Sequence, residues 1–182
     1  MPFTELPMQK AFMLIEPGPV ILVATHDHGK NNIMTISWHM VMDFTPTIAL
    51  TTGPWNYSFQ ALIDTKECVL AIPAVDMAET VVAIGDCSGA HTDKFIEFGL
   101  TPLPASAVKA PLISECLACL ECQVTNYLES KNIFILKAVQ AWIDYDKKER
   151  RLFHANGDGT FVVDGDPLNL RHLMEDKLPP GV

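Results

Sequence analysis

The chain has 182 residues, of which 48% are apolar, so it can fold as one domain with a substantial core. Its formal charge of -9 and pI of about 5.0 argue against nucleic acid as a partner, because phosphate-backbone binding needs clustered Lys and Arg. The sequence contains no apolar run long enough to span a membrane and no export signal, so its five cysteines are expected to be reduced thiols in the cytoplasm.

The predicted elements of the first part of the chain are short strands. Residues 20–25 form a continuous apolar strand, a turn containing Gly29 follows, and residues 31–40 form a second strand. The side chains of this second strand alternate between a polar face and an apolar face that we expect to enter the core. The polar face carries Thr35, Ser37 and His39, and the apolar face carries Met34, Ile36, Trp38 and Met40.

Further strands are predicted at 47–52 and 67–73, with short helices around them. The segment "NYSFQALIDT" has apolar residues at helical spacing, and Asn56 or Ser58 is expected to cap it. The segment "DMAETVVAIGD" begins with a capping-box pattern in which Glu79 follows Asp76 by three residues. A third short helix in "HTDKFIEFG" is expected to end at Gly99.

A proline-rich loop divides these elements from a second group of strands. Two long strands, 117–128 and 133–145, are expected to pair, and "RLFH" and "TFVV" flank the hairpin signal "ANGDG". One domain is expected to cover 1–165, and the polar residues 166–182 to form a C-terminal arm. Strands joined by tight turns, without a helix between every pair, predict a mainly β antiparallel barrel.

Three cysteines have a spacing that can hold a metal. Cys116, Cys119 and Cys122 follow C-x2-C-x2-C, which binds zinc or an iron–sulfur cluster when a fourth ligand and a turning loop are present. The intervening Leu, Ala, Leu and Glu instead favour a strand, in which Cys116 and Cys122 face one side and Cys119 the other. We therefore expect buried thiols that do not converge, and no metal site.

The histidines and carboxylates give no catalytic motif. His26 and His28 form an H-x-H pair, but without a matching downstream pair a solvated turn is favoured. A metal-binding barrel built from these histidines and the cysteine run stays open as an alternative. No nucleophile elbow, Walker loop or dinucleotide fingerprint is present, and no carboxylate is recognised in an apolar run that would raise its pKa.

Several segments instead suit an anionic, planar ligand. The helix beginning near Asn56 presents free backbone N–H groups that bind phosphate, and a small-residue turn at Ser88 leads to Lys94. The polar face of the strand 31–40 offers donors and acceptors to the edge of a heterocycle. Each feature alone has an ordinary explanation as a cap, a strand surface or a solvated lysine.

Four blocks of the sequence together resemble the flavin reductase-like family, which includes flavoredoxin. The resemblance covers about residues 10–165. The blocks are "NNIMTISWHMVMDFTPTIALTT", "NYSFQALIDTKECVLAIP", "GDCSGAHTDKFIEFGLTPLPA" and "APLISECLACLECQV". The resemblance implies an FMN-binding split barrel, which is a six-stranded antiparallel Greek-key barrel with helices at its ends. It also implies a homodimer with FMN near the subunit interface, and the arm 166–182 would pack on the dimer partner.

The resemblance also implies which residues bind FMN. Residues 32–38 would lie along the isoalloxazine and bond its pyrimidine edge through backbone amides, and residues 51–58 would hold the ribityl chain and phosphate. Ser88 and Lys94 would approach from the following turn and helix. The expected cofactor-binding residues are Asn32, Met34, Thr35, Ile36, Ser37, Trp38, Thr51, Thr52, Gly53, Asn56, Tyr57, Ser58, Ser88 and Lys94.

The function implied is that of an FMN-binding oxidoreductase of the flavin reductase type. Reducing equivalents from NADH or NADPH would pass through FMN to a small-molecule flavin, a metal ion or a protein electron acceptor. His154 is a candidate for lining the nicotinamide approach. The alternative function is a flavoredoxin-like FMN electron carrier without NAD(P)H turnover.

Overall fold

Short strands and helices make up the computed structural model, which describes residues 1–182 except for the side chain of Glu175. The α-helices are α1 (Met8–Ala11), α2 (Ser58–Thr65), α3 (Ala78–Asp86) and α4 (Lys94–Glu97). Short 3-10 helices lie at Phe12–Leu14, Val75–Met77, Glu129–Lys131, Arg171–Leu173 and Glu175–Lys177. The strands are β1 (Thr4–Glu5), β2 (Ile21–Asp27), β3 (Lys30–Ile36), β4 (His39–Asp43), β5 (Thr47–Thr51), β6 (Glu67–Ile72), β7 (Pro102–Leu103), β8 (Leu112–Ile113), β9 (Ala118–Leu128), β10 (Ile133–Ile143), β11 (Phe153–Ala155) and β12 (Phe161–Val163).

One antiparallel sheet closes on itself. Its strand order is β3-β2-β6-β9-β10-β5-β4, and β1 adds to β10. β3 and β4 stand at opposite ends of this order, yet only Ser37 and Trp38 separate them in the chain. Counted as one bent strand, they close a barrel of six long strands, in which β6 returns beside β2 as in a Greek key. The predicted mainly β, six-stranded Greek-key barrel is confirmed.

The bend at Ser37 and Trp38 corrects the prediction of one regular strand over 31–40. Met34 and Ile36 are buried as expected, whereas Trp38 is 67% and Met40 59% exposed. The two residues outside the ladder interrupt the period-2 alternation, so the even-numbered side chains lie inside the barrel before the bend and outside it afterwards. The predicted apolar face is therefore wrong beyond Ile36.

The predicted polar face of this strand is also divided by the bend. The Thr35 hydroxyl donates to the carbonyl of Val81 in α3 at 2.6 Å, which holds it against that helix. The His39 ring contacts the carbonyl of Pro19 through Nε2 at 2.6 Å, and burial lowers its pKa against the opposing effect of that hydrogen bond. Ser37 is exposed. The three side chains do not form one continuous surface.

The helices form where predicted, but two predicted caps are wrong. The residue preceding α2 is Tyr57, and neither Asn56 nor Ser58 caps the helix with its side chain. The expected capping box before α3 is absent, because a 3-10 turn precedes the helix and Asp76 forms an ion pair with Lys147 at 3.1 Å. The short helix α4 begins after Asp93, whose carboxylate accepts from two backbone N–H groups.

Apolar side chains pack on both sides of the barrel wall. The interior cluster includes Leu70, Leu120 and Phe134, and α2 adds Leu62 to it. The outer cluster lies between the wall and α3 and α4, which contribute Ile84 and Phe95. Burial on both faces anchors α2, α3 and the turn between α3 and α4 to fixed positions on the barrel.

The three cysteines of the C-x2-C-x2-C run lie in this wall, but they do not face the sides that were predicted. Cys122 belongs to the interior cluster, whereas Cys116 and Cys119 both belong to the outer one. The predicted pairing of Cys116 with Cys122 on one face is wrong because β9 begins at Ala118, so strand alternation does not extend to Cys116. Burial raises the pKa of Cys119 to about 12.

A carboxylate of β9 is buried in the barrel wall. Glu121 is fully buried within an apolar run, yet its pKa is lowered rather than raised. Burial opposes ionisation, but hydrogen bonds from the backbone of Ser106, Ala107 and Val108 and from Trp142 Nε1 outweigh it. The carboxylate thereby fixes the proline-rich loop to the barrel.

The chain ends in a hairpin and an arm. β11 and β12 pair antiparallel around the predicted Asn-Gly and Asp-Gly steps, which confirms the hairpin. The arm over 166–182 carries exposed leucines, among them Leu168 at 81% and Leu173 at 72% exposure. None of the helices that the structure describes is long and apolar enough to cross a membrane.

Candidate flavin site

A cavity of about 250 Å³ lies where β3, the start of α2 and the turn between α3 and α4 meet; we call it the inner cavity. Eight of the fourteen residues predicted from the sequence to bind a cofactor line it, although they come from three distant segments. These eight residues are Asn32, Met34, Thr35, Asn56, Tyr57, Ser58, Ser88 and Lys94.

A buried hydrogen-bonded group joins β2 and β3 to the start of α2. The Asn32 amide donates to Ser58 Oγ at 2.7 Å, and the Thr25 hydroxyl contacts the same oxygen at 3.4 Å. All three side chains are more than 90% buried. Because Ser58 accepts both bonds, its own hydroxyl proton is left for an acceptor within the cavity.

A second hydrogen-bonded pair fixes the segment that leads from β5 to α2. The Asn56 amide donates to Thr52 Oγ1 at 2.9 Å, and the Thr52 hydroxyl points to the sulfur of Met34 at 3.8 Å. Thr52 is 1% exposed and therefore supports the cavity wall from behind. The N–H of Phe59 donates to the Asn56 carbonyl at 3.0 Å, and Asn56 and Ser58, the first residue of α2, are held at the cavity edge.

Lys94 brings a positive charge to the cavity. Its side chain is only 4% exposed, and Nζ donates to the carbonyl of Ile84 at 2.8 Å. That carbonyl lies in the last turn of α3, where the helix dipole attracts cations. Burial lowers the pKa of Lys94, and the neighbouring Cys87 opposes that shift. Asp86, an exposed carboxylate, also lines the cavity.

Two glycines allow close packing around the cavity. A Cβ at Gly89 would lie 2.1 Å from Asn32 Oδ1 and 2.8 Å from Tyr57 Cδ1, so a larger residue would displace both side chains. A Cβ at Gly53 would lie 2.3 Å from the ring of Trp55, which is 64% exposed and lines the cavity. The glycines let the backbone approach the residues that shape the site.

Five lining residues were not among the predicted ones. They are Trp55, Gly85, Asp86, Cys87 and Gly89. Four of them belong to the segment "GDCSG", residues 85–89, in which Ser88 is the one residue predicted to bind the cofactor. Trp55 lies between the residues 51–53 and 56–58 that were predicted to bind the cofactor. A single sequence contains no pattern that marks an exposed tryptophan in a turn as part of a site.

The remaining predicted residues lie outside the lining of the inner cavity. Ile36 points into the barrel, and Ser37 and Trp38 form the bend. Thr51, Thr52 and Gly53 lie at the end of β5 and in the segment that follows it. His154 does not line it either. Its Nδ1 lies 3.1 Å from the carbonyl of Gly18 and its Nε2 2.9 Å from Asp164, so both ring nitrogens already have partners.

The histidine pair near the β2–β3 turn is tied to its own neighbours. His26 Nδ1 lies 2.7 Å from Asn31 Oδ1, and His28 Nε2 lies 3.6 Å from Asp27. Among the residues described by the structure, no three His, Cys, Asp or Glu side chains are grouped closely enough to hold a metal ion.

The inner cavity combines a cation, a helix N-terminus and hydroxyl and amide groups, and these suit an anionic group better than a neutral one. Trp55 and Tyr57, both more than half exposed, add aromatic surface at its mouth.

Comparisons with known proteins identify the family. The chain is 26% identical over 180 residues to YddH, an uncharacterized protein of Escherichia coli (strain K12), covering 90% of this chain and 95% of that protein. The fold resembles an FMN-binding domain of a flavin reductases-like enzyme from Shewanella baltica OS155, with a TM-score of 0.85, 21% identity and coverage of 92% and 96% of the two chains. It also resembles the flavoredoxin of Desulfovibrio vulgaris (Miyazaki F), with a TM-score of 0.75, 24% identity and coverage of 84% and 89%.

The match to the family extends over most of the chain. Residues 13–161 match the family described as the flavin reductase like domain, and they include the barrel, α2, α3, α4 and every residue that lines the inner cavity. This protein belongs to the flavin reductase-like domain family.

Proposed function

We propose that this protein binds FMN at the inner cavity and passes reducing equivalents from NADH or NADPH through it to a free flavin or another acceptor. The observation that carries the proposal is the buried Lys94, which shares one cavity with Asn32, Ser58 and Ser88. A buried ammonium beside hydroxyl and amide donors is costly for a structure unless an anion compensates it.

The residues present fit the phosphate end of FMN. Lys94 and the Ser58 hydroxyl would hold the phosphate, since both line one cavity and can donate charge-assisted hydrogen bonds to it. The inner cavity, at about 250 Å³, is smaller than the roughly 300–1,000 Å³ typical of small-molecule sites. The isoalloxazine would therefore extend along β3 and the bend at Ser37 and Trp38.

When bound, FMN supplies the redox chemistry, by accepting a hydride and releasing its electrons to a second acceptor. The chain would contribute backbone N–H donors at 32–38, which favour negative charge on the nearby heterocycle edge. The Thr35 hydroxyl, fixed by its bond to Val81, would hold the edge of β3 in place beneath the ring.

We also propose that the protein is a homodimer with the flavin near the interface. Four large apolar side chains along the bend and edge of β4 are 48% or more exposed, and such a surface usually marks an interface. They are Trp38, Met40, Met42 and Phe44. The exposed leucines of the arm over 166–182 would pack on the same partner. The five free thiols support a cytoplasmic location.

Titration of the purified apo-protein with FMN tests cofactor binding. We expect quenched flavin fluorescence and a perturbed absorption spectrum at one equivalent per chain. Anaerobic mixing of the FMN complex with NADH or NADPH then separates the two functions: rapid bleaching of the flavin band supports the oxidoreductase, and a stable oxidised spectrum supports an electron carrier. Absence of any spectral change on FMN addition would end the proposal.

The dimer is tested by the molar mass in solution. We expect two chains per particle for the wild type and one for the Met40→Glu/Met42→Glu variant, because buried charges are expensive at an interface. Tyr145→Glu, at an exposed aromatic residue after β10, is the matched control and should stay dimeric. A monomeric wild type at micromolar concentration would contradict the homodimer.

A further inference from the structure

An open groove lies on the surface between the exposed face of α3 and Phe161 of β12; we call it the α3 groove. It has a volume of about 720 Å³. The opposite face of the helix packs on the barrel wall, because Val81 and Ile84 are fully buried in the outer cluster. The helix therefore presents the side chains that line the groove from a fixed position.

The centre of the α3 groove is apolar, exposed and firmly held. Val82 and Phe161 line it, and both side chains are more than a third exposed. The Phe161 ring packs edge-on against the buried ring of Phe153, with 5.7 Å between the ring centroids. Phe161 is thus fixed in place without being covered. Apolar side chains that are exposed together on a fixed surface are typical of a contact site.

Two carboxylates stand at the ends of this apolar centre and indicate the charge of a partner. Glu79 and Asp86 are exposed and lie seven residues apart, so two helical turns place them on the same face of α3 as Val82. In the part of the chain that the structure describes, no Lys, Arg or His lines the groove, and neither carboxylate takes part in an ion pair. A complementary surface carries Lys or Arg around an apolar centre.

The α3 groove is continuous with the inner cavity. Gly85 and Asp86 line both. A Cβ at Gly85 would lie 3.3 Å from Thr35 Cβ, so the last turn of α3 packs directly on β3, along which the isoalloxazine would extend. One helix, about 10–12 Å across with its side chains, would therefore separate a protein seated in the groove from the flavin. Over such a distance electrons can pass while the flavin stays bound.

We propose that the α3 groove docks a redox protein that carries Lys or Arg around an apolar patch, and that this protein takes electrons from the bound flavin. The inference rests on the proposed binding of FMN at the inner cavity, and it names the class of acceptor that the proposed function leaves open. Two one-electron acceptors are reduced for each reduced flavin that is oxidised, and the protons of that flavin pass to water. The charges steer the encounter, and the small apolar centre keeps the complex short-lived.

The test measures electron transfer from the FMN complex to cytochrome c, a redox protein with a basic face. The complex is reduced anaerobically with stoichiometric dithionite, in the presence of excess apo-protein that keeps free FMN low, and is mixed in a stopped-flow instrument. We expect Glu79→Lys to lower the second-order rate constant about three- to tenfold at low salt, and added salt to remove the difference. Val82→Ser should lower it about two- to fivefold at every salt concentration, because it removes apolar contact and no charge.

Glu129→Lys is the matched control, because it makes the same change of charge at an exposed position between β9 and β10, outside the groove. It should lower the rate constant less than about twofold. Benzoquinone, a small neutral acceptor, should oxidise the bound flavin at one rate in the wild type and in all variants. That result would show that the substitutions act on the docking of a protein and leave the reactivity of the flavin unchanged.

Failure of this inference differs from failure of the proposed function. Equal effects of Glu79→Lys and Glu129→Lys on cytochrome c, or equal losses with cytochrome c and benzoquinone, would overturn the docking surface and leave FMN binding intact. A rate that rises in proportion to added free FMN would assign the transfer to released flavin and would also overturn it. If FMN does not bind the wild type, the proposed function itself fails.

Discussion

The side-chain amide of Asn32 in β3 donates a 2.7 Å hydrogen bond to the hydroxyl of Ser58 in the first turn of α2. This bond connects the barrel wall to the helix whose N-terminus faces the inner cavity. Both side chains are buried, and Asn32 is held between Ser58 and the backbone of Gly89. The same contact therefore fixes all three segments that form the site.

Ser58→Ala should reduce both stability and flavin affinity. The substitution leaves the Asn32 amide and the Thr25 hydroxyl without their buried acceptor, which costs about 1–3 kcal/mol of unfolding free energy. Urea denaturation measures the loss, and Ser130→Ala at an exposed turn position is the control. FMN affinity should fall in the same variant, and an unchanged affinity would mean that Ser58 does not contact the phosphate.

Lys94→Met should separate binding of the phosphate from binding of the flavin ring. Loss of a charge-assisted contact should weaken FMN by about ten- to hundredfold, whereas riboflavin, which has no phosphate, should bind as before. Isothermal titration with both ligands measures the difference. Equal weakening of FMN and riboflavin would show that Lys94 supports the cavity shape instead of the phosphate.

The same lysine should affect how the stability of the apo-protein depends on pH. Because burial lowers the folded-state pKa of Lys94 below the ordinary 10.5, the unfolded chain binds more protons between these two values. The unfolding free energy of the wild type should therefore rise with pH across that alkaline interval, and Lys94→Met should lack this component. Denaturation of both proteins at several alkaline pH values below 10.5 checks the sign. The prediction is contradicted if the unfolding free energy of the wild type rises no more with pH than that of Lys94→Met.

Gly89→Ala should displace the Asn32 side chain in the wall of the inner cavity. The added Cβ would lie 2.1 Å from Asn32 Oδ1, so the Asn32 side chain must move and its bond to Ser58 is lost or distorted. We expect weaker FMN binding and a lower melting temperature. Gly165→Ala is the matched control, because a Cβ at Gly165 meets no atom within 4 Å.

Glu121→Gln should release the proline-rich loop from the barrel. An amide cannot accept from all of the donors that surround this carboxylate, and each buried donor left without a partner costs about 1–3 kcal/mol. The emission of Trp142, which donates to Glu121 at 2.7 Å, should change with the loop.

The wild-type carboxylate also gives a pH dependence with a definite sign. The folded pKa of Glu121 is below its ordinary value of 4.5, so the stability that the ionised carboxylate contributes is complete above that pH and is lost as the pH falls through the folded pKa. Acid denaturation should show this loss in the wild type and not in Glu121→Gln. Parallel acid profiles for the two proteins would exclude Glu121 as its source.

Much of the candidate site could be predicted because local patterns carry it. The small-residue turn before Lys94 and the helix beginning near Ser58 were recognisable, and they line one cavity in the structure. Trp55 and Glu121 could not be predicted in the same way. Trp55 reaches the cavity lining only because Gly53 packs against its ring. The pKa of Glu121 is lowered because a loop distant in sequence donates hydrogen bonds to its carboxylate.

Patterns of residues close together in the chain are enough to place the strands and the short helices and to order the family's motifs. The side of the barrel that each residue of 31–40 faces depends instead on contacts between distant segments. Closure of the sheet requires a bend at Ser37 and Trp38, and β3 and β4 pair with strands on opposite sides of it, β2 and β5. Those long-range pairings, together with the packing of α3 and α4 on the wall, bring Lys94 to Asn32 and Ser58.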